Sequence, residues 1–362
     1  GVFRSSNIDL GNGLVLSSKG YDDGMIIKYN SSAECEWVQG IGGTNYDQIN
    51  SVAECSDGGI LAGGYFESDS IDLGNGVSLS NKGSYDGMII KYSAEGECEW
   101  AKGIGGTDSD YINSVVGCSD GGYIVGGNFC SSSIDLGNGI SLANKGEHNG
   151  EYDGMVIKYN EKGEVEWAKG IDGTNTDYIN SVVECNDGGY IVGGSFESSS
   201  IDLGNGISLA SKSSEDGMLI KYSSKGEVEW AKGIGGTDNE KINSVAVTSE
   251  GDYIVAGDFI SESIDLENGI SLTNNGIVDG MIIKYSSNGE AKWAKGIGGK
   301  NSDYIESIAE TQDGGYIVGG YFWSSIDLGN GESLTSKGND DGMIIKYSSA
   351  GKVEWSRAIG GG

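Results

Sequence analysis

One heptapeptide recurs six times along this chain at an almost fixed interval. Asp-Gly-Met-(Ile/Val/Leu)-Ile-Lys-Tyr begins at Asp23, Asp86, Asp153, Asp216, Asp279 and Asp341. A tryptophan follows each copy, at Trp37, Trp100, Trp167, Trp230, Trp293 and Trp355, in steps of 63, 67, 63, 63 and 62 residues. A period of that size means one supersecondary unit stacked on copies of itself, since a unit so short cannot bury its own apolar face. The repeat overrules the two ordinary domains that 362 residues would otherwise allow. The expectation is one domain, residues 1–362, built of units 1–43 (partial), 44–106, 107–173, 174–236, 237–299 and 300–362.

A single unit reads as four strands. Ile112–Ser119 alternates and is rich in β-branched residues, and Asp120-Gly121-Gly122 then makes a tight turn. Tyr123–Phe129 is a second strand, whose paired glycines point to a close neighbouring backbone. A long connector, 130–152, leads to a third strand, Asp153–Tyr159. Asn160–Gly163 is a hairpin loop, and Glu164–Lys169 is an outer strand with one wet face. No segment carries a sustained 3.6-residue apolar period, so helices should be nearly absent. The connectors repeat Ile-Asp-Leu-Gly-Asn-Gly, and Asn-Gly between alternating apolar residues predicts a small extra hairpin in each unit. The predicted fold class is all-β: a β-propeller of four-stranded antiparallel blades, six-bladed, with the first blade incomplete. A β-solenoid competes, but its repeats are usually shorter.

The first copy begins at Gly1-Val2-Phe3, which aligns with the end of a second strand. Three explanations stay open. The chain is a fragment whose upstream segment carries the missing strands, another chain supplies them, or five blades carry an appended hairpin. The fragment is favoured because an unpaired inner edge invites aggregation.

Composition narrows the partners. With 54 acidic and 23 basic residues, the formal charge is −31, spread through all copies. Such a field repels nucleic acid and anionic membranes, and favours cations, basic proteins or neutral sugars. No apolar run approaches the ~18 residues of a membrane helix. Gly is abundant at 65 residues and Pro is absent, leaving Gly, Asn and Asp to shape the turns. Five of the six cysteines trade with Val or Thr between copies, as small strand fillers do, Cys130 falls where other copies have Glu or Trp, and no metal-type Cys spacing occurs.

The order Trp-Ala-Lys-Gly-Ile-Gly-Gly, Asp-Tyr-Ile-Asn-Ser-Val, Asp-Gly-Gly-Tyr-Ile-Val-Gly-Gly, Asp-Gly-Met-Ile-Ile-Lys-Tyr resembles bacterial propeller repeats of the SBBP type along the whole chain. That resemblance implies a propeller fold and a secreted or surface-attached protein, placed outside the cell or on its surface. The acidity, the missing prolines and the uniform connector hairpin depart from the pattern.

Candidate functional residues follow from comparing copies. The position after the second strand's Phe varies freely: Arg4, Glu67, Cys130, Glu197, Ile260 and Trp323. A varied spot on a shared scaffold builds an asymmetric binding surface, although drift at a tolerant loop gives the same pattern. Asp72, Asp135 and Asp202 in the connectors, with Asp110 and Asp177 before the first strand, are weak Ca²⁺ candidates; the dense spacing of a dedicated calcium loop is missing. No other cofactor is indicated. The repeated tryptophans and methionines read as packing. The lysine of each heptapeptide reads as a structural ion pair. The only histidine, His148, sits in an insertion, and no asymmetric acid pair stands out. The expected function is a non-enzymatic scaffold binding a protein or glycan through its connector rim. A multivalent lectin with one weak sugar site per blade is the alternative, and a carbohydrate-active enzyme is a distant third.

Overall fold

The computed structural model describes residues 1–11, 13–148, 150–329 and 331–361. The described residues contain strands and turns and no helix. The chain divides into two compact units, Gly1–Asp172 and Gly173–Gly362.

The first unit holds three successive sheets. The first has three strands, Val2–Phe3, Asp23–Tyr29 and Cys35–Ile41. Two four-stranded antiparallel sheets follow: Asp47–Glu54, Ile60–Phe66, Asp86–Tyr92, Cys98–Ile104, and then Asp110–Gly117, Tyr123–Phe129, Asp153–Tyr159, Val165–Ile171. The second unit repeats the plan with Asp177–Glu184, Tyr190–Phe196, Asp216–Tyr222, Val228–Ile234, and then Glu240–Val247, Tyr253–Phe259, Asp279–Tyr285, Ala291–Gly299. Its last sheet is Asp303–Glu310, Tyr316–Gly329, Glu332–Tyr347, Val353–Ile359. There the connector hairpin is continuous with the second and third strands, and Gly298 and Gly299 pair with Asp327 and Ile326.

The heptapeptide is the third strand throughout. Asp86–Tyr92 is buried at every position because both its faces are covered. Met88, Ile90 and Tyr92 pack toward the first sheet with Ile26 and Ile41, whereas Ile89 packs toward the third sheet with Val125 and Ile157. The core therefore lies between successive sheets of a unit. Lys91 shares the Ile89 face and is 1% exposed, with its ammonium held by Asp57 at 2.9 Å, Glu99 at 3.1 Å and the Tyr92 carbonyl. Lys158, Lys221 and Lys346 repeat this cage. The ion-pair reading of the lysines holds.

The tryptophans join sheets. Trp37 donates from Nε1 to the Ala94 carbonyl at 3.0 Å, and its ring covers the hairpin glycine Gly96, where a Cβ would meet the ring at 2.6 Å. Trp100 covers Gly163 in the same way, as do Trp230 with Gly289 and Trp293 with Gly351. The first strands add a second joint. In each four-stranded sheet the first strand bulges at its fourth residue, between Ile49 and Ser51 or Ile242 and Ser244, for example. The bulged Asn50 donates to the Ile112 carbonyl of the next sheet at 2.9 Å, and Ser51 Oγ accepts the Val115 N–H at 3.1 Å. Asn180, Asn243, Ser181 and Ser244 do the same in the second unit. The Asn-Ser pair of the repeat is thus an inter-sheet clasp.

The predicted connector hairpins are present: Ser70–Asp72 pairs with Ser78–Ser80, and Ser200–Asp202 with Ser208–Ala210. Their buried Ile71 and Leu79 join the core of their own sheet. The predicted first strand, in contrast, is displaced. It starts at Asp110 rather than Ile112, because Asp110 pairs with Phe129 and anchors the strand's first rung.

Candidate functional site

Each first strand is an edge strand carrying two kinds of side chain. Its odd residues, Asp110, Ile112 and then Val115 beyond the bulge, point into the core. Its second and fourth residues point away from it. Those positions read Gln48, Tyr111, Tyr178, Lys241, Tyr304 and Asn50, Asn113, Asn180, Asn243, Glu306 across the copies. They face the sixth residue of the second strand, Tyr65, Asn128, Ser195, Asp258 and Tyr321, through direct register such as Gln48↔Tyr65 and Lys241↔Asp258. The residue before each heptapeptide also reaches this face in some copies, as Tyr85, Tyr152 and Glu215 do. A β-bulge re-aims the side chain it carries, and bulges are enriched beside functional sites.

In the first unit this face is aromatic. The Tyr65 ring packs edge-on against Tyr111 at 4.9 Å and Tyr85 at 5.6 Å, Tyr85 stacks on Tyr111 at 5.8 Å, and Tyr152 lies 5.9 Å from Tyr111. Burial pushes the Tyr111 phenol up to about 12. In the second unit the same positions are mixed, with Lys241, Asp258 and Glu306 charged among tyrosines, asparagines and a serine. A cleft of about 400 Å³ is lined by Tyr178, Asn180, Ser195, Lys241, Asn243 and Glu306. Glu215, 4% exposed, accepts from Ser195 Oγ at 2.8 Å and pairs with Lys241 at 3.3 Å. Asp258, 8% exposed, accepts from Asn243 Nδ2 at 2.6 Å. Burial raises the Asp258 carboxyl to about 7; the Asn243 bond opposes this, the Glu306 charge adds to it, and Lys241 offsets part. A further aromatic group, Tyr304, Tyr321 and Trp323, has ring centroids 4.8–6.2 Å apart.

The six residues singled out by sequence variation lie at the end of the second strand. Arg4 pairs with Asp22 at 2.8 Å, and the Glu67 carboxylate accepts the Tyr46 N–H at 3.3 Å. Trp323 is half-buried against Tyr321, while Glu197 and Ile260 are exposed. Cys130 borders a cleft of about 320 Å³ with Asp108, Glu147 and His148. These residues border the first-strand face, as Glu67 beside Tyr46 and Trp323 beside Tyr304 show. Sequence reasoning missed the inner positions. The signal was available as side-chain changes at the second and fourth places of an otherwise repeated strand.

The calcium candidates are occupied otherwise. Asp110 Oδ1 accepts the N–H groups of Cys130 and Ser131, and its Oδ2 accepts the Gly106 N–H and Ser131 Oγ. Asp177 holds Ser198 similarly. Asp72, Asp135 and Asp202 each accept the N–H two residues on, closing an Asx turn in the connector hairpin. Among the described residues, no group of three or more His, Cys, Asp or Glu side chains is gathered to hold a metal ion. The cysteines are free, with Cys55, Cys98, Cys118 and Cys185 buried as strand fillers.

A second carboxylate sits beside each clamp. Asp86 Oδ2 accepts the Lys82 N–H, but its buried Oδ1 has no hydrogen-bond partner and rests where a Cβ on Gly105 would lie. Asp23, Asp153, Asp279 and Asp341 share this orphaned oxygen. Burial, reinforced by the Asp110 charge, lifts the Asp86 carboxyl to about 6, and burial lifts Asp153 to about 7.

No family model matches the chain. Two curated proteins are similar over part of it: the regulatory protein FlaEY of Caulobacter vibrioides, 27% identical over 142 residues, and an uncharacterized WD repeat-containing protein of Acanthamoeba polyphaga mimivirus, 25% identical over 171 residues. Each match covers 39% of this chain, and only 15% and 12% of those proteins' own lengths. Among solved structures, a protein of unknown function from Bacteroides caccae is 12% identical with a TM-score of 0.46, covering 92% of this chain and 93% of that one. The extracellular domain of a one component system from B. thetaiotaomicron is 14% identical with a TM-score of 0.39, covering 95% of this chain and 38% of that one.

Proposed function

We propose that this protein is a non-enzymatic extracellular or cell-surface scaffold that binds a protein or glycan through the outward side chains of its first strands. Arg4, Glu67, Cys130, Glu197, Ile260 and Trp323 form the adjoining rim. The observation that carries the reading is the contrast between a constant frame and varied side chains. Clasps, cages and clamps recur from copy to copy, whereas the first-strand face is a tyrosine cluster in the first unit and a mixture of charged, amide and aromatic side chains in the second. The sheets act as propeller blades in this reading. The blade-like seams inside each unit and the partial likeness to a WD-repeat protein support that, and six blades follows from the count of repeats. The SBBP resemblance favours the extracellular location. A lectin with one weak site per blade needs copies of one site, and the differing side chains support a composite surface instead.

Protein and glycan arrays probed with the native chain and with repeat-swap variants test this. Tyr111→Gln and Lys241→Tyr install the residues that Gln48 and Tyr178 hold in other copies, so the frame tolerates them. The expected result is binding weakened about tenfold with the melting temperature moved by no more than about 2 °C. If Asp72→Asn and Asp135→Asn abolish binding while the first-strand variants leave it intact, the connector hairpins are the site and this reading fails.

A further inference from the structure

We infer that a cleft in the last sheet of the second unit is a subsite for one neutral sugar ring of a glycan, stacked against Trp323. This rests on the proposed binding role and names the chemistry that one part of the surface selects.

The cleft follows from a single missing residue. From the second strand's Phe to the connector's Ile the earlier copies take five steps, as from Phe66 to Ile71 or from Phe259 to Ile264, whereas the last copy takes four, from Phe322 to Ile326. The shortened link brings the connector hairpin into line with the second and third strands, where the earlier hairpins stand as separate two-stranded sheets. The two strands fall out of step there. Trp323 pairs with Asp340 and Ser325 with Thr335, so Ser324 alone faces residues 336–339. Ser324 takes a φ of 61°, a conformation uncommon outside glycine. Its counterparts Ser68, Ser131 and Ser198 are buried and donate to the first-strand Asp. Ser324 is exposed instead, and its Oγ accepts from Asn301 Nδ2 at 3.0 Å. Such strain persists only where the surroundings enforce it, and a bulge re-aims the side chains beside it.

The resulting cleft holds about 410 Å³, within the ~300–1,000 Å³ of small-molecule sites. Its apolar wall is Trp323 and Tyr304, with ring centroids 6.2 Å apart and planes at 69°, and Ile277 beside them is 62% exposed. Trp323 is the one tryptophan of seven outside the repeated position, and no other copy has an aromatic residue in its place. The polar wall is Asn301, Ser302, Ser324 and Asn339. None of the lining residues is charged, in a chain of formal charge −31. That set discriminates between ligands. An ion meets no countercharge among the lining residues, and a purely apolar group leaves the amides and hydroxyls without partners. A sugar satisfies both walls. Its C–H face rests on an electron-rich ring face, and its hydroxyls, each donor and acceptor, match amides and hydroxyls of the same dual capacity. Among the described residues the Ser302 and Asn339 side chains make no hydrogen bond and are available to it.

Calorimetric titration of the full chain tests the inference. The neutral probes are cellotetraose, mannotetraose, maltotetraose and diacetylchitobiose; the counter-probes are trigalacturonate, which is acidic, and a blocked Gly-Leu-Gly peptide. Trp323→Glu installs the residue that Glu67 and Glu197 hold in other copies, and Trp323→Phe keeps an aromatic ring. A third variant inserts Asp between Ser324 and Ser325, restoring the connector length of the earlier copies. Glu290→Gln, on a distant hairpin, is the control, and melting temperatures establish that each variant folds. At least one neutral sugar should bind. Trp323→Glu and the insertion should each weaken it about tenfold or more, Trp323→Phe and Glu290→Gln less than about threefold, and neither counter-probe should bind. A counter-probe bound as tightly as the sugars, undiminished binding in Trp323→Glu or in the insertion variant, or no neutral sugar bound at about 20 mM overturns it. If no neutral sugar binds while an array ligand is lost in Tyr111→Gln, the sugar subsite falls and the wider binding-face reading stands.

Discussion

At the scale of single residues, the tryptophan and glycine seam gives the sharpest forecast. Trp100 seals a seam, whereas the same residue at Trp355 is 41% exposed. Trp100→Ala should cost about 3 kcal/mol, the usual penalty for truncating a packed indole, and Trp355→Ala less than about 1. Gly96 has a φ of +85° and no room for a Cβ beneath Trp37, so Gly96→Ala should cost about 2 kcal/mol. Ala33 already occupies the matching hairpin position in the first copy at a φ of 60°, which isolates the backbone contribution from the clash. Urea melts of the four proteins check these values, and a Gly96→Ala variant as stable as the parent would show that the ring yields. The repeated Trp was legible as packing from its spacing. What it packs on was not, because a contact between copies leaves no mark within one copy.

At the scale of elements, the first strand decides both stability and recognition. Its clasp places two hydrogen bonds across the seam between the second and third sheets, and removing one should cost about 1 kcal/mol. Asn50→Ala and Ser51→Ala should therefore each lower stability by that amount, and hydrogen exchange should quicken at Val115 in the serine variant. Unchanged exchange at Val115 would mean the clasp is ornamental. Strand positions and the connector hairpins were readable from β-branched alternation and Asn-Gly turns. The start of the first strand was misplaced because Asp110 looks like a turn residue, and only its four hydrogen bonds explain why an acid opens a strand. The bulge was likewise invisible, since no residue type demands it. That is why sequence reasoning put the variable surface on the rim and overlooked Lys241, Asp258 and Glu306.

At the scale of the whole chain, two sets of carboxylates pull stability in opposite directions with pH. Asp86 at about 6, and Asp153 and Asp258 at about 7, titrate above the unfolded value of ~3.9. Their folded form holds extra protons, so the stability they contribute is complete below about pH 4 and is lost as pH rises through 6 to 7. Asp57, Asp120, Asp187 and Asp252 run the other way. For Asp57 the Lys91 hydrogen bond leads in holding the carboxyl below its usual range; for the other three, burial opposes the shift and is outweighed, by lysine and backbone contacts at Asp120 and Asp187 and by Lys292 and Lys284 at Asp252. Their contribution is present above about pH 4 and fades in stronger acid. The melting temperature should therefore peak between about pH 4 and 6 and decline toward pH 8. Relief of repulsion within a chain of charge −31 acts in the same direction, but salt screens that term and leaves buried pairs largely untouched. Thermal melts from pH 4 to 9 in low and high salt separate the two, and a curve that rises from pH 6 to 8 in high salt contradicts the buried-carboxylate account.

The joints between neighbouring sheets have one further consequence. Indole on glycine recurs at the four described seams and amide on carbonyl at three of them, so a gene that gains or loses a single period creates no mismatched junction. Length can drift by duplication while the exposed chemistry of every new module is chosen afresh, and relatives of this protein should differ more readily in how many modules they carry than in how those modules meet.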